Sequence, residues 1–173
     1  MEKSRLLLWD IDGTLILGGN AGSKALKNYF NKRYGWSDMG SAMVVHGMTD
    51  PGIVQGIFDH FGHKAQPGEI DEVLRDYVEI MRANMEGFES SRLLPGVPEI
   101  LTVPKGQGMC LQGLLTGNVE AAAELKLAHH NLWDDFEFGA YGSDAIKRED
   151  LVPVAWERAK QLSGHDFKPE ETW

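Results

Sequence analysis

The chain has 173 residues, a formal charge of −9 from 26 acids against 17 bases, and 42% hydrophobic residues. That is enough for one good core, or for a core with a small appended unit. The acidic balance argues against a nucleic-acid partner, which needs a basic face, and a single cysteine, Cys110, allows no internal disulfide.

The chain opens with the apolar run 6–9, which reads as a strand buried on both faces of a parallel sheet. The run is too short for a signal peptide and is cut by Asp10, and no stretch approaches the roughly 20 apolar residues of a membrane span. The expectation is a cytoplasmic protein with no membrane partner, its oligomeric state open. Ala25, Leu26, Tyr29 and Phe30 then stand at helical spacing, with Gly35 as a stop. "TDPGIVQGIFDHFG" opens with a cap at Thr49 or Asp50 and has Pro51 in its first turn. Ile53, Val54, Ile57, Phe58 and Phe61 form its apolar stripe. Residues 69–85 give a third helix, through Ile70, Val73, Leu74, Tyr77, Val78 and Met81.

From Leu94 onward the pattern becomes α/β alternation. A short helix around Val97 and Leu101 precedes the strand "MCLQGLLTG", and the helix "NVEAAAELKLAHH" precedes the short strand "FEFGA". A last helix covers 149–162. The simplest partition is an α/β core of residues 1–17 and 90–173, with an all-helical unit inserted at 18–89. That grouping suits right-handed βαβ connections better than two sequential domains.

Three short stretches carry chemistry. In "DIDGT", Asp10 and Asp12 stand two apart at a strand end, where open α/β sheets hold ligands. Extended backbone points both to one side, so their repulsion calls for a divalent cation or a shared proton. A turn decorated with two acids is the plain alternative. A free Asp titrates near ~3.9, so one acid can serve as a carboxylate nucleophile while its neighbour moves protons. In "LLTGN", Thr116, Gly117 and Asn118 end a strand, with Asn118 as a helix N-cap, and form either a phosphate cradle or an ordinary capped turn. In "SDAIKREDL", Lys147 or Arg148 could offset charge on a transferring phosphoryl group, unless the pair is only a solvated cluster. His60 with His63, and His129 with His130, read as structural, as does Cys110 within its apolar strand.

Taken in order, "DIDGTL", "LLTGN" and the basic pair resemble the three leading motifs of the haloacid dehalogenase-like hydrolases, and the likeness runs along the whole chain. The helical unit, with "HGMTDP" near its second helix, resembles the family's α-helical cap, "LLPGVPEIL" resembles the stretch that returns the chain to the core, and the phosphoglycolate-phosphatase-like subgroup is the nearest analogy. The resemblance implies a Rossmann-like core with a cap and a Mg²⁺-dependent hydrolysis of a small phosphorylated metabolite. Asp10 would be the nucleophile and a metal ligand. Asp12 would be the general acid and base, lending its backbone carbonyl to the metal. Thr116, with N–H groups around Gly117 and Asn118, would hold the phosphoryl oxygens, and Arg148 would be the basic residue, with Lys147 the alternative. The family's fourth motif is an acidic strand end that completes the metal site and pairs beside the first strand. Here the sequence reaches "KPEETW" where that strand would begin, so the last part of the core is expected to be missing and the first strand to lie at a bare edge. A phosphate-binding fragment without turnover, or a β-phosphoglucomutase-like transferase, are the alternative readings.

Overall fold

The switch from helical to alternating periodicity marks a physical division of the chain. The computed structural model describes residues 5–39, 47–84, 88–107 and 110–173, the side chains of 104–107 excepted. Strands β1 (Arg5–Trp9), β4 (Cys110–Leu115) and β5 (Phe138–Ala140) form a parallel sheet in the order β1-β4-β5. Leu7 stands beside Gln112, and Leu114 beside Gly139. A second, two-stranded sheet pairs β2 (Ile16–Leu17) antiparallel with β3 (Arg92–Leu93). Every described α-helical residue between those two strands belongs to α1 (Ala21–Tyr34), α2 (Asp50–His60) or α3 (Glu69–Ala83). Helices α4 (Val97–Gln107) and α6 (Leu151–Ser163) pack on the sheet, and α5 (Glu120–Ala128) lies against α3.

The helix ends follow local chemistry. Gly35 closes α1 in the left-handed region at φ 72°, which a residue without Cβ adopts freely, and Lys32 and Arg33 complement the carbonyl end. Thr49 caps α2, its hydroxyl accepting from the Gly52 N–H at 3.2 Å, with Pro51 in the first turn. Glu69, Asp71 and Glu72 sit in the first turn of α3, whose buried stripe is Val73, Leu74, Tyr77, Val78 and Met81. Among the described residues no helix is long and apolar enough to cross a membrane.

Several expectations need correction. The first strand is not buried on both faces: Leu6 is, whereas Leu7, Leu8 and Trp9 are only half-buried. The middle strand is β4, buried from Leu111 to Leu114, because it has a full partner on each side. Nor is the outer edge of β1 bare. Thr172 bridges Leu6 in parallel, the Trp173 N–H donates to the Leu6 carbonyl at 2.9 Å, and the Leu8 N–H donates to the Trp173 carbonyl at 2.7 Å. Asp10 and Asp12 follow β1 rather than extending it. The last helix begins at Leu151, after a single 3₁₀ turn at Arg148–Asp150. Asn118 is not the N-cap of α5; Val119 holds that position, and the Asn118 amide turns inward instead.

Candidate active site

Three loops leave the C-terminal edge of the parallel sheet: residues 10–12 after β1, 116–119 after β4 and 141–148 after β5. In such a sheet the strands run the same way, so their outgoing loops meet at one edge. They enclose a cavity of about 340 Å³ lined by Asp10, Asp12, Thr116, Asn118, Lys126 and Arg148, among others. The other side of the cavity is helical, with Ser23 and Leu26 from α1, Asp50 and Ile53 from α2, and Tyr77 from α3.

Asp10 pairs with Arg148, Oδ1 to guanidinium at 3.0 Å, with both side chains about one-third exposed. The same guanidinium reaches the Leu115 carbonyl at 3.4 Å, which ties the third loop to the end of β4. That loop is itself held by Asp144, whose carboxylate accepts from the Tyr141 N–H at 2.8 Å and from both terminal nitrogens of Arg158 at 2.7 Å. Lys147 is exposed and lies outside the cavity lining.

Asp12 has a different partner. Its Oδ2 accepts from the Lys126 ammonium at 2.7 Å and from the Asn118 amide at 2.8 Å. Asn118 also donates to the Thr116 hydroxyl at 2.8 Å, while its own carbonyl accepts from Lys126 at 2.6 Å. Burial acts to raise the Asp12 carboxyl, but Lys126, the Asn118 amide and the more distant Arg148 outweigh it and hold the group below its ordinary value near 3.8.

Asp50 joins the helices to this loop. Its Oδ2 accepts from the Val119 N–H at 2.9 Å, so a carboxylate from α2 satisfies the first turn of α5. Its own N–H donates to the Gly117 carbonyl at 2.7 Å. Burial, with Asp12 acting in the same sense, pushes Asp50 up to about 6 against the pull of Lys126 and the Val119 N–H. Gly117 is obligatory for this fit, because a Cβ there would run into the Met48 carbonyl. The Thr49 hydroxyl donates to the Ile146 carbonyl, fastening the same segment to the third loop. Tyr77, enclosed beside Asp50 and Asp12, has its phenol driven well above 10, chiefly by burial.

The sequence-derived residues Asp10, Asp12, Thr116, Gly117, Asn118 and Arg148 all line this one cavity. Two contributors escaped the sequence reading, Lys126 and Asp50. Lys126 had a signal: it stands three and four residues after Ala123 and Ala122, on the buried face of a helix, where an unpaired lysine is not tolerated. Asp50 gave only the signal of a helix start. Among the described residues, Thr49, Asp50, Gln112, Thr116, Asn118 and Lys126 are the buried polar side chains, and all but Thr49 and Gln112 line this cavity. Buried polar groups are costly, so their concentration here marks the place where the fold accepts that cost.

No family model and no curated protein matches the sequence. Solved structures do match. The chain is similar to CbbY from Rhodobacter sphaeroides in complex with phosphate, at 18% identity and a TM-score of 0.73, over 99% of this chain and 76% of that one. A protein of Haemophilus somnus described as a predicted phosphoglycolate phosphatase aligns at 18% identity and a TM-score of 0.70, again over 99% and 76%. A haloacid dehalogenase-like hydrolase from Streptococcus pneumoniae aligns at 17% identity and a TM-score of 0.57, over 98% of this chain and 74% of that one.

Proposed function

We propose that this chain, which has the fold of the haloacid dehalogenase-like hydrolases, is a phosphomonoester hydrolase acting on a small phosphorylated metabolite through an aspartyl-phosphate. Residues 1–17 and 90–173 would form its catalytic core and residues 18–89 the cap that selects substrate. One observation carries this reading: two carboxylates, a buried hydroxyl and two cations from three separate loops and a helix converge on one cavity at the outgoing edge of a parallel sheet.

Asp10 is the candidate nucleophile. Its carboxylate oxygen attacks phosphorus and the bond to the ester oxygen breaks, while Asp12, ionised at rest, takes up a proton as phosphoryl charge arrives beside it and passes it to that oxygen. Water then attacks the acyl-phosphate while Asp12 takes the proton back, and inorganic phosphate and free Asp10 are released. Arg148, paired with Asp10, would offset charge developing on the phosphoryl oxygens, and Thr116 with the N–H groups of its loop would hold them. No three His, Cys, Asp or Glu side chains gather to hold a metal among the described residues. Mg²⁺ nevertheless fits the donor set, since it accepts sites of one or two carboxylates completed by water and substrate phosphate. Asp10 and the backbone carbonyl of Asp12 would hold it, and it would neutralise phosphoryl charge.

The class of substrate draws support from the matched structures, in which CbbY holds phosphate and, in a second structure, xylulose 1,5-bisphosphate. The test is phosphate release from a panel of phosphate monoesters with Mg²⁺ and with chelator, for the chain and its Asp10→Asn variant. Metal-dependent turnover that Asp10→Asn abolishes, with a phosphoenzyme trapped on Asp10, is the expected result. Binding of phosphate without turnover of any ester would overturn it.

A further inference from the structure

Asp12 is held from behind. Its Oδ2 has two donors, Lys126 and Asn118, at 2.7 and 2.8 Å. Its Oδ1 lies beside Gly18, where a Cβ would stand only 2.6 Å away, so the absence of a side chain at Gly18 keeps that oxygen's surroundings open. Lys126 reaches the site from a helix whose place is fixed: Ala122, Ala123 and Leu127 are fully buried, and Asp50 satisfies its first turn. The lysine is itself only 6% exposed. Its ammonium joins Asp12 directly and also through Asn118, whose amide bridges onward to the Thr116 hydroxyl. One cation thus aligns the carboxylate of the first loop with the hydroxyl of the second.

We infer that Lys126 is the positioning residue of this site, a buried splint that fixes Asp12 with Oδ1 toward the leaving oxygen and in register with Thr116. It touches no reacting atom. The inference deepens the phosphatase reading and rests on it. Arg148 cannot substitute, because it engages Asp10 from the opposite loop. Without Lys126, Asp12 keeps the Asn118 amide alone among its side-chain donors in the described residues, and Asn118 loses the donor that orients it.

The consequence is specific to proton transfer. An alkyl phosphate has a poorly leaving alkoxide and needs the Asp12 proton, whereas the nitrophenolate of p-nitrophenyl phosphate leaves without one. The variant Lys126→Met keeps the length of the stem and removes the charge. With glycerol phosphate its kcat/KM, which reports steps up to release of the alcohol and not the later attack of water, should fall about a hundredfold, at the lower end of what general acid catalysis contributes. With p-nitrophenyl phosphate the fall in kcat/KM should be under about fivefold, while any slowing of water attack on the acyl-phosphate lowers kcat for both esters alike. Equal losses of kcat/KM on the two esters would overturn the inference, since a merely loosened fold slows both alike. Lys126→Gln, which retains an amide donor on a shorter stem, gives the same contrast if the methionine chain does not fold. Turnover by the parent chain, abolished in Asp10→Asn, tests the phosphatase reading separately. Should the parent turn over neither ester, crystal structures of the parent and Lys126→Met decide the inference. A shift of Asp12 with β1 and α5 in place supports it, and an unmoved Asp12 defeats it.

Discussion

The helical stretch and the sheet stretch bury their apolar surface in opposite ways. Helices α1, α2 and α3 share one continuous cluster built from large side chains, including Tyr29, Phe30, Phe58, Tyr77, Met81 and, beyond α3, Phe88. Trp36 stacks on Phe61 at 4.3 Å between centroids, and Tyr34 stacks on Trp36 at 4.6 Å. The sheet side divides into three smaller clusters: one around Ile11, Leu15 and Leu114, one around Leu6, Leu111 and Phe167, and one around Ala140, Leu151 and Ala155. The helical cluster also laps over Val119 and Ala122, so the helices are seated on α5. The difference teaches where each property resides. The large aromatic side chains are concentrated in the helices, and among the described residues the buried charged groups, Asp50 and Lys126, lie at the seam where the helices meet the sheet edge.

The largest effect that would sharpen this division is on rate. Asp10→Asn should reduce kcat by more than about a thousandfold, since an amide cannot form the acyl-phosphate. The midpoint of thermal unfolding should move by only a few degrees, because Asp10 is partly exposed and so is its ion pair with Arg148. A large loss of stability in that variant would break the comparison. Phe58→Ala should do the reverse. Phe58 is fully buried against Phe30, Tyr34 and His63, so truncation should cost about 3–5 kcal/mol by denaturant titration. At temperatures where the variant remains folded, kcat should stay within about twofold. A collapse of kcat there would mean that the helical core directly shapes the chemistry.

Much of this was legible in the sequence, for reasons that differ residue by residue. Helix α3 announces itself through a stripe that its burial reproduces, and Gly35 closes α1 as a glycine stop should. "DIDGT" and "LLTGN" could be read because strand-end chemistry is local. The identity of the central strand could not be read, since Leu6–Trp9 and Cys110–Leu115 are both apolar and only pairing distinguishes edge from middle. Asn118 looked like a cap because its local position allows one. Its partners, Asp12 and Lys126, lie 106 residues before it and 8 after it, and no window along the chain contains both. Asp50 was opaque for the same reason, since its meaning depends on Val119 and Gly117 across the seam.

Asp50 gives the smallest predicted effect and tests the seam itself. Its folded pKa of about 6 lies above its ordinary value near 3.8, so between those limits the folded chain binds more protons than the unfolded chain. Stability therefore falls as pH rises from about 4 to about 6, by roughly 1–3 kcal/mol, and stays reduced above that window. Asp12 has the opposite sign. Its depressed pKa contributes stability that is present above about 4 and is lost as pH falls through its folded value. Asp50→Asn removes the first contribution and leaves the second. An amide oxygen can still accept from the Val119 N–H, so the link between α2 and α5 survives. Urea titrations from pH 4 to 8 should show the variant losing less stability across the window than the parent, and matching or exceeding it at pH 8. A variant that is less stable at every pH would show instead that the charge on Asp50, balanced by Lys126, holds the helices to the sheet edge.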